Sequence, residues 1–251
     1  MNKKVIIFGG SSGLGLELAK TFGHYQKEII ISSSNEIRLK KTHQILDDLN
    51  IKNNYFKCDL SNTKEIDSIC EYIKLNSSSV EAIIFCSAKG YFGKFEDLKL
   101  SEIEKNFKIN SFGFINILNK SLNYNQYIRY IYISSYASKI SLKNMSIYSS
   151  SKIILEKIFE SIKLEYEPGK TLIVYPGPMN TNFDNNSFTE NSTNIRIAKK
   201  KFDTKVISKK IYKSYIKKKE ILEINSGLIK IVLIFKNLFS NQFYKFLRFF
   251  N

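Results

Sequence analysis

Short apolar runs alternate along the chain with longer segments in which apolar residues recur every three or four positions. We interpret the runs as buried β-strands at residues 5–8, 29–31, 55–57, 82–85, 128–133 and 172–174. The segments of helical period cover residues 13–22, 37–49, 64–75, 101–122 and 148–166. Strands that alternate with helices in this way predict an α/β fold, a doubly wound parallel sheet with helices on both faces.

The same pattern predicts how the chain is divided. No stretch rich in Pro, Gly or Ser and no abrupt change of composition interrupts the 251 residues. We therefore expect one domain over residues 1–225, which ends in a last strand near 220–225. Residues 226–251 form a C-terminal tail of apolar and basic residues.

The charge of the chain raises a question about partners. Lys and Arg number 39 against 23 Asp and Glu, a formal charge of +16, which would attract nucleic acid or an anionic membrane. Much of the excess is lysine in a chain also crowded with Ile and Asn, a bias expected from an AT-rich coding sequence. We therefore expect no nucleic-acid partner.

Cysteine, histidine and the N-terminus indicate a cytoplasmic protein without a metal. Cys58, Cys70 and Cys86 match neither a disulfide framework nor a metal knuckle, so we expect reduced, packed thiols. His24 and His43 have no neighbouring ligand residues. The apolar run near the N-terminus is too short for a signal peptide, and no window is apolar enough to span a membrane.

A glycine-rich turn follows the first predicted strand in the stretch VIIFGGSSGLGLELAK, with spaced glycines at Gly9, Gly13 and Gly15. Such a turn lets the backbone approach a pyrophosphate closely, and the helix that follows offers free N–H groups and a positive dipole. An ordinary tight turn is the alternative explanation. The residues expected to line a phosphate here are Gly9, Ser11, Ser12, Gly13, Leu14 and Gly15.

Tyr148 and Lys152 stand four residues apart at the predicted start of a helix, so both side chains leave the same face. Reduction of a ketone requires a proton donor for the oxygen. A phenol, whose pKa is about 10, becomes suitable when a nearby cation lowers that pKa. The pair alone occurs often by chance in a chain with 15 tyrosines, so its context decides.

In this context the chain resembles the short-chain dehydrogenase/reductase family from residue 3 to about residue 220. The motifs that carry the resemblance stand in the family's order: Gly9, Gly13 and Gly15; Asn110 with Gly113; Ser135, thirteen residues before Tyr148; Tyr148 with Lys152; and Pro176 and Gly177 with Thr181. The resemblance implies a Rossmann-like fold and an NAD(P)(H)-dependent oxidoreductase that interconverts a ketone and a secondary alcohol. It also implies a homo-oligomer, a dimer or a tetramer.

The resemblance gives each catalytic residue a role. Tyr148 is expected to be the acid and base, and Lys152 to lower its pKa and bind the nicotinamide ribose. Ser135 is expected to hold the substrate oxygen, with Ser134 as a near rival. Asn110 is expected to kink its helix and to hold a water that relays protons to the lysine.

The resemblance also implies a cofactor site that extends beyond the glycine turn. Its further members are Ser33, Ser34, Asp59, Leu60, Ser87, Ala88, Tyr148, Lys152, Pro176, Gly177 and Thr181. Asp59 would bond the adenine ring, or else support the turn before a helix capped by Ser61 or Asn62 with Glu65.

The chain departs from the family at two places. Phe8 stands where the family has threonine, and the stretch at residues 86–89 keeps only Ala88 of the family's Asn-Asn-Ala-Gly.

The end of the second strand bears on the choice of coenzyme. An NAD site of this kind has an acidic residue there, which binds the ribose 2′-hydroxyl and repels a 2′-phosphate. Here Ser33 and Ser34 occupy the region, Glu36 is the first acid, and Arg38 or Lys40 is close enough in sequence to reach a phosphate. We therefore expect NADP(H) rather than NAD(H).

The polar stretch at residues 185–202 is interpreted as a flap over the substrate.

The C-terminal tail, residues 226–251, has two interpretations. On a helix or two, its apolar face with basic flanks would lie in a membrane interface. Alternatively, the same face packs on the domain or on a second subunit. The tail weakly resembles that of polyprenyl-phosphate-pentose 2-keto reductases, which implies a lipid-linked substrate and a peripheral position on the inner face of the membrane.

Two other functions stay open. A catalytically idle nucleotide-binding or scaffold relative is suggested by Phe8, Ser34 and the altered loop at residues 86–89. A nucleotide-sugar epimerase or dehydratase of the longer related type would need a larger C-terminal substrate domain, for which 251 residues leave little room.

Overall fold

The computed structural model describes residues 3–179, 181, 183, 187–189, 201–224 and 227–249. Within these residues seven strands form one parallel sheet, in the order β3–β2–β1–β4–β6–β7–β9. Their bounds are β1 (Lys4–Phe8), β2 (Glu28–Ser33), β3 (Asn53–Lys57), β4 (Val80–Phe85), β6 (Arg129–Ile133), β7 (Thr171–Pro176) and β9 (Ile221–Ile224). A small parallel sheet joins β5 (Tyr91–Phe92) to β8 (Phe188–Thr189). The predicted doubly wound parallel sheet is confirmed.

Helices connect the strands and cover both faces of the sheet. Their bounds are α1 (Gly13–His24), α2 (Glu36–Asp48), α3 (Thr63–Leu75), α4 (Leu100–Phe107), α5 (Gly113–Leu122), α6 (Ser146–Glu165), α7 (Thr204–Ile216), α8 (Gly227–Leu238) and α9 (Ser240–Phe249). Asn35, Asn62 and Asp203 cap α2, α3 and α7 by accepting hydrogen bonds from first-turn N–H groups. Among the described residues, no helix combines the length and the apolar character needed to cross a membrane.

The strands divide the core into two layers because successive side chains of a strand point to opposite faces. In β1, Ile6 and Phe8 belong to the layer that contains Phe85 and Phe114. Val5 and Ile7 belong to the opposite layer, which contains residues of α1 and α7. Burial on both faces explains why β1 is an uninterrupted apolar run.

The structure corrects one predicted helix. The sequence predicts a single helix over residues 101–122, but α4 and α5 are separated by a π-helical segment, Lys108–Phe112. Asn110 lies in this π-helical segment, where it is fully buried. The apolar period of residues 101–122 does not reveal the segment.

Two further elements go beyond the prediction. α7 follows the predicted flap, and the β5–β8 sheet pairs residues beyond β4 with residues beyond β7. The predicted flap, residues 185–202, falls largely outside the described residues; the structure gives its positions 187–189, 201 and 202.

Candidate active site

The site lies where the carboxyl ends of β1, β4, β6 and β7 meet at one edge of the sheet. The strand order reverses direction between β1 and β4, and in open α/β sheets ligands bind at such a point. The glycine turn follows β1, and Ser87 follows β4. A methyl group added at Gly9 would lie 2.6 Å from the backbone nitrogen of Ser87, so the turn and the loop are in close contact.

The glycine turn requires its glycines. Gly9 and Gly13 have φ angles of +83° and +52°, which side chains disfavour. A methyl group at Gly15 would lie 2.0 Å from the carbonyl oxygen of Gly9. A methyl group at Gly13 would lie 3.2 Å from Cγ2 of Thr181. The structure thus brings Thr181, predicted from a distant motif, directly beside the turn.

The N-terminus of α1 can receive an anion. Ser12 is its N-cap residue but makes no side-chain capping bond, and the first turn contains no acid. The helix dipole and the first N–H groups therefore point at the space above the turn. Leu14 is buried beneath the turn, and Thr42 donates a hydrogen bond to the Ser11 carbonyl (3.1 Å) from α2. The arrangement fits a pyrophosphate.

Phe8, the departure from the family motif, lies in the core rather than at the site. Its ring is 1% exposed and packs 5.9 Å from Phe85 and 6.1 Å from Phe114, measured between ring centroids. The substitution therefore leaves the glycine turn intact.

The end of β2 presents polar groups to solvent beside the turn. The Ser33 hydroxyl accepts a hydrogen bond from the Asn35 N–H (3.3 Å), and Ser34 is exposed. Lys40 forms an ion pair with Glu36 at 3.0 Å, whereas Arg38 is exposed on the first turn of α2. Ser34 and Arg38 thus both face solvent at this end of β2.

Asp59 makes hydrogen bonds within the turn that precedes α3. One carboxylate oxygen accepts hydrogen bonds from the Ser61 N–H (2.9 Å) and hydroxyl (2.7 Å), while Asn62 caps α3. The Asp59 N–H donates to Glu65 at 2.7 Å. Leu60 is buried, and its carbonyl lies 2.4 Å from the position of a Cβ at Gly113. The turn at Asp59 is thereby packed against the start of α5.

The loop after β4 is held by asparagines. Asn110 accepts a hydrogen bond from the Lys89 N–H (2.8 Å) and donates one to the Lys89 carbonyl (2.8 Å). Asn106, one turn earlier, donates to the same carbonyl at 3.0 Å. Asn110 also donates to the Ser151 hydroxyl of α6 at 3.0 Å. In this structure Asn110 thus anchors the loop that contains Ser87 and Ala88, both half-buried, and ties it to α6.

Tyr148 lies on the first turn of α6, 7% exposed, among aromatic rings. Its ring centroid is 5.8 Å from Phe92 and 5.5 Å from Phe183, while Met145 and Ala137 complete the cluster. Phe92 belongs to the small sheet and Phe183 follows β7. An apolar wall therefore stands beside the phenol.

Lys152 is a buried cation one turn after Tyr148. Its Nζ donates to the Ile133 carbonyl at 3.0 Å and lies 5.2 Å from the Tyr132 ring centroid. Burial lowers the pKa of Lys152 to about 8, while Cys86 and Glu156 act in the opposite direction. Burial also raises the pKa of the Cys86 thiol to about 12, so this thiol is a neutral neighbour.

The two candidate serines after β6 have different surroundings. Ser134 is 3% exposed, and its hydroxyl donates to the buried carboxylate of Glu156. Ser135 is half-buried, and its oxygen accepts a hydrogen bond from the Ala137 N–H at 3.1 Å. Ser134 thus bonds to a buried carboxylate, whereas Ser135 caps the short turn that follows β6.

The end of β7 completes the site. Pro176 is the last residue of the strand, and a methyl group at Gly177 would lie 2.4 Å from the ring of Phe202. Thr181 accepts a hydrogen bond from the Phe183 N–H at 3.3 Å. This segment joins the glycine turn to the aromatic cluster around Tyr148.

Sequence reasoning missed Asn106, Ser151 and Glu156. Asn106 stands one turn before Asn110, and Glu156 one turn after Lys152, a spacing that places each pair on one helix face. Helical spacing from residues already chosen was thus the signal that could have found Asn106 and Glu156.

Comparison with known proteins gives a consistent result. A family model described as short chain dehydrogenase matches residues 3–192. The chain is 24% identical over 189 residues to the probable short-chain type dehydrogenase/reductase VdlC of Helicobacter pylori, covering 73% of this chain and 67% of that protein. It is 25% identical over 185 residues to the 3-ketodihydrosphingosine reductase of Bos taurus, covering 70% of this chain but only 56% of that reductase.

Solved structures share the fold. A short-chain dehydrogenase from Sphingobium yanoikuyae in complex with NADPH superposes with a TM-score of 0.80 at 14% identity, covering 95% of each chain. A short chain dehydrogenase/reductase from Burkholderia phymatum in complex with NAD gives a TM-score of 0.83 at 12% identity, covering 94% of this chain and 93% of that one.

Proposed function

Because this chain belongs to the short-chain dehydrogenase family, we propose that it is an NAD(P)(H)-dependent oxidoreductase that interconverts a ketone and a secondary alcohol. Family membership confirms the resemblance seen in the motifs and the Rossmann-like fold that it implied. The observation that supports the activity best is Lys152, buried one turn after Tyr148 at the edge of the sheet that carries the glycine turn.

The chain's own residues supply the proton transfer. We assign to Tyr148 the donation of a proton to the carbonyl oxygen, or its removal from the alcohol in the reverse direction. A cation beside a phenol favours the phenolate, and this is the role assigned to Lys152. The Ser135 hydroxyl would donate to the same substrate oxygen. We propose that Asn110 supports proton transfer toward Lys152, while its hydrogen bonds hold the Lys89 backbone and Ser151 in place.

The glycine turn, the N-terminus of α1 and Thr181 would hold the diphosphate, and Lys152 the nicotinamide ribose. The bound nicotinamide would supply or accept the hydride. We propose NADP(H) rather than NAD(H), supported by the exposed Ser34 and Arg38 at the end of β2 and by the absence of an acid there before Glu36.

Replacement of Tyr148 by Phe tests the activity. NADPH oxidation is followed at pH 7 with 3-ketodihydrosphingosine as the probe ketone, alongside a series of smaller ketones. The variant should lose at least about a hundredfold in kcat, because it lacks the proton donor. It should keep NADPH affinity within about twofold, measured by fluorescence titration. Tyr127→Phe, which changes an exposed tyrosine remote from the site, is the matched control.

Retained turnover in Tyr148→Phe would contradict the assignment of the proton donor. NADPH binding by the wild-type chain without turnover of any ketone in the series would favour the idle nucleotide-binding relative instead.

We also propose that the substrate is lipid-borne and that the tail contacts an anionic membrane from its cytoplasmic face. The support lies in α8. Ile231, Ile234, Phe235 and Leu238 follow the spacing of one helix face, yet they are between 40% and 70% exposed. This apolar stripe is thus not packed on the described part of the domain.

The charge of the tail agrees with an anionic surface. Residues 227–249 contain Lys230, Lys236, Lys245 and Arg248 but no Asp or Glu. An exposed apolar stripe with basic flanks is the composition of helices that lie in a membrane interface. We assign the chemistry to residues 1–225 and the membrane contact to residues 226–251.

The tail is also fixed near the site. Lys236 donates a hydrogen bond to the Lys139 carbonyl, Tyr244 lies 3.5 Å from Ser141 between hydroxyl oxygens, and Phe243 is buried. Residues 139–141 belong to the loop between Ser135 and Tyr148. A membrane contact at α8 would therefore place the mouth of the site close to the lipid surface.

A homo-oligomer is the proposed assembly. It is supported by exposed apolar side chains on α4 and α6, where Leu100 is 69% exposed and Leu164 is 90% exposed.

A further inference from the structure

Glu156 is a buried carboxylate that the proposed chemistry leaves without a role. It lies on α6, one turn after Lys152, and is 4% exposed. One of its oxygens accepts hydrogen bonds from the hydroxyls of Ser134 and Ser138. The other accepts from the Tyr175 hydroxyl at 3.1 Å. A buried charge is costly unless such donors satisfy it, so its presence calls for an explanation.

The three donors come from the segments that form the candidate site. Ser134 immediately precedes Ser135 at the end of β6. Ser138 closes the turn that follows, and its Oγ also lies 2.6 Å from the carbonyl oxygen of Ser135. Tyr175 immediately precedes Pro176 at the end of β7. One carboxylate thus joins the backbone on both sides of Ser135 to β7 and to the helix that carries Tyr148 and Lys152.

We propose that Glu156 is a positioning residue, which fixes the Ser135 hydroxyl for the substrate oxygen and keeps Lys152 protonated beside Tyr148. The proposal rests on the proposed function of this site. It has two separable parts: a geometric part that acts through Ser138, and an electrostatic part that acts through the negative charge.

The electrostatic part depends on what faces Lys152. The described neighbours are the neutral Cys86 thiol after β4, the Tyr132 ring and the Ile133 carbonyl of β6, and Glu156 on α6, with Tyr148 one turn earlier on the same helix. Of these, Glu156 is the group with a full negative charge. Burial lowers the pKa of Lys152 to about 8, and the Glu156 carboxylate acts to raise this pKa. Loss of the Glu156 charge should therefore lower the pKa of Lys152 further.

The decisive experiment compares wild type, Glu156→Gln and Ser138→Ala in the NADPH-dependent reduction of one ketone from pH 6 to pH 10. Glu156→Gln should lower kcat about tenfold or more and shift the alkaline loss of kcat to lower pH by about half a unit or more. NADPH affinity should stay within about twofold. Glu160→Gln, on the exposed next turn of α6, should leave the profile unchanged.

Ser138→Ala keeps the charge and removes the contact to the Ser135 loop. It should raise KM for the ketone severalfold and leave the alkaline limb in place. Because this variant removes no buried charge, it also tests the proposal if Glu156→Gln does not fold.

An unshifted alkaline limb in a folded Glu156→Gln variant would overturn the electrostatic part, and an unchanged KM in Ser138→Ala would overturn the geometric part. A wild-type chain without turnover would instead mark failure of the proposed function, and both parts with it.

Discussion

At the scale of single residues, two buried lysines, Lys152 and Lys170, differ in whether a carboxylate lies near the ammonium group. Lys152 lies one turn from Tyr148 on α6 and interacts with the Glu156 carboxylate, whereas Lys170 has no described acid among the causes of its pKa shift. Its Nζ donates to the Gln126 carbonyl at 2.6 Å and lies 5.5 Å from the Tyr130 ring centroid. Burial lowers the pKa of Lys170 to about 8. We infer that its charge opposes folding at neutral pH.

The sign of this effect can be tested with Lys170→Met. Between pH 8 and about 10.4 the unfolded chain binds more protons at this lysine than the folded chain does. The free energy of unfolding of the wild type therefore increases as the pH rises through this range. Lys170→Met should stabilise the protein by about 1–3 kcal/mol at pH 7, and the gain should shrink toward pH 10. Urea unfolding at both pH values measures it.

The exposed Lys64 provides the control for this experiment, because Lys64→Met should change stability little at either pH. A Lys170→Met variant that is less stable than wild type at pH 7 would show that the hydrogen bond to Gln126 outweighs the burial of the charge.

Ser34 tests the choice of coenzyme. Ser34→Asp places a carboxylate where it would repel a 2′-phosphate and accept a hydrogen bond from a ribose hydroxyl. NADPH affinity should fall about tenfold or more, while NADH affinity should hold or rise, as read by fluorescence titration. Ser68→Asp, an exposed change on α3 with the same charge, should alter neither. Equal effects on the two coenzymes would remove the preference for NADP(H).

At the scale of elements, the junction between α4 and α5 allows a prediction about Asn106. Asn106 is fully buried and donates to the Lys89 carbonyl, and it accepts a hydrogen bond from Asn110 at 3.1 Å. Asn106→Leu leaves these partners under-satisfied and should lower the free energy of unfolding by about 1–3 kcal/mol. It should also weaken NADPH binding, because the loop beside Gly9 is then held less firmly.

Asn119→Leu, an exposed change on α5, is the matched control and should alter neither quantity by much. Equal stability of the two variants would show that the asparagine pair does not anchor the loop.

Elements buried on both faces were predictable, and irregular ones were not. The five inner strands β2, β1, β4, β6 and β7 follow from apolar runs, because a parallel sheet covered by helices demands them, whereas the edge strands β3 and β9 are partly exposed. The two-residue strands β5 and β8 leave no periodic trace. The π-helical segment Lys108–Phe112 likewise leaves no periodic trace in the sequence.

The residues of the candidate site were predictable where a motif has a fixed spacing, as for Gly9, Tyr148 and Lys152. Contacts made across the fold were not. Ser134 bonds to Glu156 whereas Ser135 accepts a bond from Ala137, and this difference depends on how α6 packs against β6 and β7, which the spacing of residues does not encode.

At the scale of the whole molecule, the exposed apolar stripe on α8 argues against packing of this face on the domain itself. Packing on the domain would bury Leu238, yet this side chain is 70% exposed. Leu238→Glu should reduce binding to vesicles of mixed phosphatidylcholine and phosphatidylglycerol at least about fivefold, measured by co-sedimentation. Leu75→Glu is the matched control for Leu238→Glu, because Leu75 is also the last residue of a helix, α3, and is 76% exposed. This variant should bind like wild type.

Two results would count against the membrane contact. Equal vesicle binding by the two variants would exclude this stripe as the contact. A change in sedimentation coefficient that is confined to Leu238→Glu, with no vesicle binding by wild type, would assign the stripe to a second copy of the chain.

The bond from Lys236 to the Lys139 carbonyl has a further consequence for substrate choice. It ties α8 to the segment that leads from Ser135 to Tyr148, so an α8 helix that rested on lipid would hold the Tyr148 phenol at a set height above the membrane. A ketone close to the headgroups would then come within reach of the phenol. The same ketone deep among the acyl chains would not, and the enzyme would select its substrates by depth as well as by shape.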